Sequence, residues 1–154
     1  MLGRSGRRHD RGYTIIELLI VMAVMAILTG IAYIKVAPAL GRARVRNAAN
    51  VLAIDLQYAQ LLAARFGEPM VLTVNTSTLE YQIGDRDADT VFRTRRFGTP
   101  GDYELGQFTA APATLELFPT SIVGQSATYT LGIAGFSRQI TMSVAGQIRV
   151  QNAP

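Results

Sequence analysis

Gly12-Tyr13-Thr14-Ile15-Ile16-Glu17-Leu18-Leu19-Ile20-Val21 is the stretch on which the reading of this chain turns. It joins a basic leader to an apolar run that continues to Ile34, and Glu17 is the only charge between Arg11 and Lys35. In hydrocarbon an acidic side chain costs about 2.5 to 3.5 kcal/mol near a helix centre and less toward an end, so a carboxylate here needs a compensating partner. A cut between Gly12 and Tyr13 would create one. The new α-amino group would stand at the first residue of a helix, with Glu17 four positions later on the same face and near the positive end of the helix dipole.

A glycine, an aromatic, Thr14, two aliphatics, Glu17 and then a membrane-length run of Leu, Ile, Val, Met and Ala together resemble the class III signal of type IV pilins and type II secretion pseudopilins. The resemblance implies cleavage after Gly12 by a prepilin peptidase, N-methylation of Tyr13, and assembly with other subunits into a hetero-oligomeric filament. It also implies that Glu17 neutralises the N-terminal amine of a neighbouring subunit. Two positions depart from the usual pattern. Tyr13 stands where the family commonly has Phe, and the proline often found near the end of the apolar run is absent, Ile34 being there and Pro38 coming four residues later.

Length and charge support the same organisation. A chain of 154 residues holds one modest domain plus an anchor. Its net charge of +4 owes much to Arg4, Arg7, Arg8 and Arg11, which face only Asp10 in the leader. Without residues 1–12 there remain 11 basic and 10 acidic side chains, so the high pI reads as a topology signal that keeps the leader cytoplasmic. Four segments follow: 1–12 as cleaved leader, 13–36 as transmembrane and later filament-core helix, 37–66 as an amphipathic continuation, and 67–154 as a β-rich domain. The expected location is the bacterial inner membrane, crossed once with the C-terminal domain extracytoplasmic, and then a pilus or pseudopilus. The competing reading is an ordinary secretory signal, with Leu18 to Ile34 as its apolar core and Ala37-Pro38-Ala39 as its cleavage site, followed by a free periplasmic domain.

Beyond Pro38, where a kink is expected near Ala37, apolar residues recur at helical spacing. Val45, Ala48, Ala49, Leu52, Leu56, Ala59, Ala63 and Phe66 form one line, and Val51, Ile54, Tyr58 and Leu61 a second. One line could bury against the chain's own sheet and the other against neighbours, or both could belong to one core. Gly67 and Pro69 end the helix. The remainder is rich in Val, Ile, Thr, Tyr and Phe. Strands are expected over 70–74, 79–83, 90–97, 114–118, 127–133, 137–144 and 147–150, with turns at Asn75-Thr76-Ser77, Gly84-Asp85, Pro100-Gly101-Asp102, Gly135 and Ala145-Gly146. The fold class is α+β: a long N-terminal helix packed on a C-terminal antiparallel sheet, pilin-like by resemblance. Within that family, the passage from Ala59 to Leu72 and the closing Gly146-Gln147-Ile148-Arg149-Val150 are similar to the GspH/FimT branch, which implies a minor subunit.

Little material for catalysis is present. The chain has no cysteine, and its one histidine, His9, lies in the leader. Ser-His-Asp and Cys-His chemistry are thereby removed from a mature chain, and no enzyme activity and no cofactor are expected. Asp85, Asp87 and Asp89 alternate as in a calcium loop, but Thr90 replaces the turn glycine and Arg96 the closing carboxylate, so no metal site is assigned. Arg93, Arg95 and Arg96 form the one basic cluster of the later chain, to which Arg138 and Arg149 could add. Its readings are a patch for DNA or a partner, as in DNA-uptake minor pilins, or a solvated strand face pairing with the turn at 85–89.

Overall fold

The computed structural model describes residues 13–87, 90–101, 103–133 and 135–153, with the side chains of 34 and 35 left out. The leader, and Gly12 with it, therefore lies outside the described residues. Two compact units divide the chain, Met1–Pro38 and Ala39–Pro154.

One helix, α1, runs over Ile15–Phe66. It starts on a capping pair: Thr14 Oγ1 accepts the Glu17 backbone N–H at 3.3 Å, and the Thr14 carbonyl accepts the Leu18 N–H at 3.2 Å. Thr-x-x-Glu is the sequence form of the capping box, so Glu17 also occupies a favoured helix-start position. The following run has the length and apolar composition to cross a membrane. Thr29, within that run, finds its partner locally, its hydroxyl donating to the Met25 carbonyl at 2.7 Å. Pro38 lies inside the helix rather than ending it, since one missing N–H removes one bond of a long ladder. At the far end Gly67 takes φ +70° and donates to the Ala63 carbonyl at 2.9 Å, the left-handed cap that the sequence predicts.

Among the described residues eight strands follow: β1 (Met70–Asn75), β2 (Glu80–Asp85), β3 (Val91–Arg96), β4 (Gln107–Ala111), β5 (Thr114–Leu117), β6 (Ala127–Ile133), β7 (Phe136–Met142) and β8 (Ile148–Asn152). They form two antiparallel four-stranded sheets, ordered β3-β2-β1-β5 and β4-β6-β7-β8. Sequence reasoning anticipated one sheet of consecutive hairpins and no strand at 107–111. In the structure β5 returns to pair with β1, with Leu72 opposite Leu115, while β4 pairs forward with β6, with Phe108 opposite Leu131. The turn expected at Gly84-Asp85 is also displaced. Both residues stay in β2 beside an irregular register step, and a Cβ on Gly84 would come within 2.8 Å of the Thr90 carbonyl oxygen.

The core is continuous through Ala39–Pro154. Val45, Ala48, Ala49, Leu52, Leu56, Ala59 and Ala63 of the first helical line are all buried, against Leu72, Tyr81 and Ile83 from one sheet and Phe108, Tyr129 and Leu131 from the other. Phe108 joins the sheets, its ring 5.3 Å from Phe97 and 6.2 Å from Tyr81. The second helical line behaves differently. Ile54 and Leu61 are 58% and 64% exposed, whereas Val51 is half-buried and Tyr58 packs against the core, so that line divides between core edge and surface.

Candidate functional site

Two charged features stand apart from ordinary surface. The first is the helix start. Tyr13 is exposed, Glu17 sits one helical turn along, and every large apolar side chain from Ile15 to Ile31 is open to its surroundings. Among the described residues nothing covers these side chains, an apolar surface of the kind that lipid or other chains cover.

The second is an ion cluster under the helix. Asp55 is the one buried charged residue among those described, 1% exposed. Residues 81, 93 and 95 reach it because strand alternation puts them on one face: Tyr81 is directly opposite Arg95, and Ile83 opposite Arg93. The Tyr81 hydroxyl donates to Asp55 Oδ2 at 2.6 Å, Arg95 Nε donates to the same oxygen at 2.6 Å, and Arg93 Nη1 donates to Oδ1. Arg93 also lies over the Tyr58 ring, 4.3 Å from its centroid. Both carboxylate oxygens are thus engaged by donors from two strands, which meets the requirement for a buried charge.

This placement resolves the arginine cluster of the sequence. Arg93 and Arg95 face inward and are held by Asp55, and among the described residues neither pairs with Asp85 or Asp87. Arg96 faces the other way, opposite Glu80, and holds that carboxylate with bonds of 2.9 and 3.1 Å. Three consecutive-looking cations therefore do not make one patch. Arg149, on β8 opposite Thr141, is exposed and has no acidic partner among the described residues. The carboxylates Glu80 and Glu116 are likewise occupied, the second by Arg86. Among the described residues no three His, Cys, Asp or Glu side chains gather in a way that could hold a metal, and Asp89 lies outside them.

Asp55 itself was not singled out from the sequence, although the signal is there. It stands between Leu52 and Leu56 on the buried line, where a solvated acid has no place. A charge interrupting an apolar stripe three residues after one core position and four before another asks for a buried partner.

Burial, then the bond to Asp55, pushes the Tyr81 hydroxyl well above the usual tyrosine range, and burial alone raises Tyr129. The Asp55 bond raises the Arg95 guanidinium as well. For a tyrosine whose folded pKa lies above its unfolded value of 10.0, the native state holds the proton more tightly, so its stabilisation is complete below that value and is lost as pH rises beyond it. Stability should therefore fall above about pH 10 by about 1.4 kcal/mol per pH unit for each such tyrosine. Tyr81→Phe should make that slope shallower. Urea unfolding between pH 9 and 11 reads this directly, and an unchanged slope in the variant would show that Tyr81 is not a contributor.

A profile of the prokaryotic N-terminal methylation motif matches residues 7–33, the segment that holds Gly12, Tyr13 and Glu17. The fold is similar to that of the type IV minor pilin FimU of Pseudomonas aeruginosa, at TM-score 0.56 and 18% identity over 69% of this chain and 91% of that one. A second crystal form of FimU gives TM-score 0.56 and 20% identity over 73% and 90%. The fold is pilin-like, and it lies behind an N-terminal methylation motif. The minor pseudopilin EpsH from the type 2 secretion system of Vibrio cholerae is also similar, at TM-score 0.52 and 13% identity over 71% of the pilin-like chain and 97% of EpsH. No curated protein sequence matches it. The pilin fold explains the order of the parts: an apolar helix behind a methylation motif, continuing into a helix whose one face is buried in the core that both sheets share.

Proposed function

We propose that the chain is a structural, minor subunit of a type II secretion pseudopilus or type IV pilus, of the GspH/FimT kind. Residues 1–12 act as the leader removed by prepilin peptidase, 13–36 anchor the chain in the inner membrane and later enter the filament core, 37–66 continue that helix, and 67–154 form the extracytoplasmic domain. Gly12-Tyr13 is the processed bond, Tyr13 carries the N-methyl group, and Glu17 meets the amine of a neighbouring subunit. The observation that carries this reading is a single carboxylate, one turn into an uncovered apolar helix, that has no basic partner among the described residues. The minor-subunit assignment is supported by the likeness to a minor pilin and a minor pseudopilin.

The test is the intact mass of the protein recovered from membranes. A chain beginning with N-methyl-Tyr13 is expected. A chain beginning near Leu40, with the apolar run gone, would replace this reading with that of a secreted domain.

A further inference from the structure

A cleft of about 470 Å³ lies between α1, the β6–β7 turn and the end of β8, lined in part by Arg42, Arg46, Phe136, Ser137, Arg138 and Asn152. Three arginines line it, Arg42, Arg46 and Arg138, and among the described residues none of them has a carboxylate within ion-pair distance. Elsewhere in the domain Arg44, Arg86, Arg93, Arg95 and Arg96 each hold an acid, while Arg65 and Arg149 stand singly without one among the described residues, so the cleft differs in gathering three such arginines at one place. Because the chain beyond residue 12 is nearly neutral, with 11 basic and 10 acidic side chains, this concentration is segregation of charge and not a general excess. Like charges brought together cost free energy unless an anion joins them.

The shape of the cleft points to an oxygen-rich anion. Arg42 lies over the Phe136 ring at 4.3 Å, which fixes the plane of its guanidinium and leaves its in-plane N–H groups to donate. Arg138 stands directly opposite Asn152 across β7 and β8, so a guanidinium and a side-chain amide are offered side by side. Ser137 adds a hydroxyl. Forked N–H donors match the oxygens of a phosphate group, and the cleft leaves room for the groups bonded to it.

Chain position says which phosphate. Arg42 follows Val36, the end of the apolar segment, by only six residues, and Arg46 is one helical turn further. Six residues span about 9 Å as helix and at most about 22 Å extended. The polar layer of a bilayer is roughly 5 to 8 Å deep on each side, and the attraction of an anionic surface extends about another 8 to 10 Å. We propose that this cleft binds the headgroup phosphate of an anionic phospholipid and so holds the domain at the membrane surface before assembly. The inference rests on the membrane-anchored reading above. A nucleic acid is the less favoured anion, since one compact cleft engages one or two phosphates whereas non-specific duplex binding needs a row of them.

The test uses the full chain in dodecyl maltoside, titrated with short-chain phosphatidylglycerol, phosphatidylcholine or inorganic phosphate while thermal unfolding is followed by circular dichroism. Phosphatidylglycerol should raise the midpoint saturably by about 4 °C or more, and phosphatidylcholine should leave it unchanged. The Arg42→Gln/Arg138→Gln variant should lose the shift, and Arg65→Gln should keep it. Three results would each overturn the proposal: no shift with phosphatidylglycerol, an equal shift with inorganic phosphate at the same concentration, or a shift with a 12-base-pair duplex alone. A shift that survives in the double variant would do the same. Since the titration does not depend on processing, loss of the lipid effect with N-methyl-Tyr13 present would sink this inference alone. A chain starting near Leu40 would sink the membrane reading instead.

Discussion

Asp55→Asn is expected to destabilise the unit Ala39–Pro154 by about 3 kcal/mol, lowering its unfolding midpoint by about 10 °C. Removing one member of a buried ion cluster leaves the others desolvated without a counter-charge, and such losses run to about 3 to 5 kcal/mol. The lower end applies because Arg93 and Arg95 are 31% and 36% exposed and water can recover part of their hydration. Asparagine keeps an acceptor for Tyr81 and nearly the same volume, so the change isolates the charge. Tyr81→Phe, which removes one donor while both arginines stay paired, should cost about 1 kcal/mol. Urea unfolding of the full chain in detergent measures both. A loss below about 0.5 kcal/mol for Asp55→Asn would mean that the cluster is replaceable polar filling, as surface pairs commonly are. A carboxylate held by three donors from two strands also has one best position along the sheet, whereas a stripe of Ala and Leu can slide by a turn at modest cost.

Glu17→Ala is expected to be processed and inserted normally yet to enter filaments about ten-fold less well or worse. The proposed contact with a neighbour's amine would be a charge-assisted bond worth about 1.5 to 3 kcal/mol, and each 1.4 kcal/mol is a factor of about ten. Insertion itself should become easier, since an acid is removed from hydrocarbon. The capping geometry supplies a competing explanation, because Thr14 and Glu17 also start the helix. Glu17→Gln separates the two: glutamine serves a capping box as well as glutamate does but carries no charge. Assembly that fails with both alanine and glutamine identifies the charge as the requirement. Normal incorporation of the glutamine variant would reduce Glu17 to a helix-start residue. Quantifying the variant in sheared filaments against the membrane pool gives the ratio.

Local chemistry made much of this protein legible in advance. The apolar run, the interrupting acid, the Gly67 cap and the alternation of β1 and β6 are patterns written within a few residues, and each stands in the structure where expected. The buried helical line was also readable, because helical spacing of Val45 through Ala63 leaves it few alternatives. The strand at 107–111 was missed since Gln107-Phe108-Thr109-Ala110-Ala111 offers one large apolar residue and weak β formers. Its role comes from pairing with β6, far along the chain.

What the sequence by itself determined is the anchor and its charge: a membrane-length helix beginning at a methylation motif with Glu17 one turn inside, a matter of composition and periodicity along a continuous segment. Only the tertiary structure decided what the arginines do. Arg93 and Arg95 are drawn to Asp55, some forty residues earlier, while Arg42 and Arg138 meet with no acid between them among the described residues. Strand alternation says which side chains share a face, but which helical residue lies over that face depends on the packing of the whole core. A cation's role is set by the nearest opposite charge in space, and that distance exists only once the chain has folded.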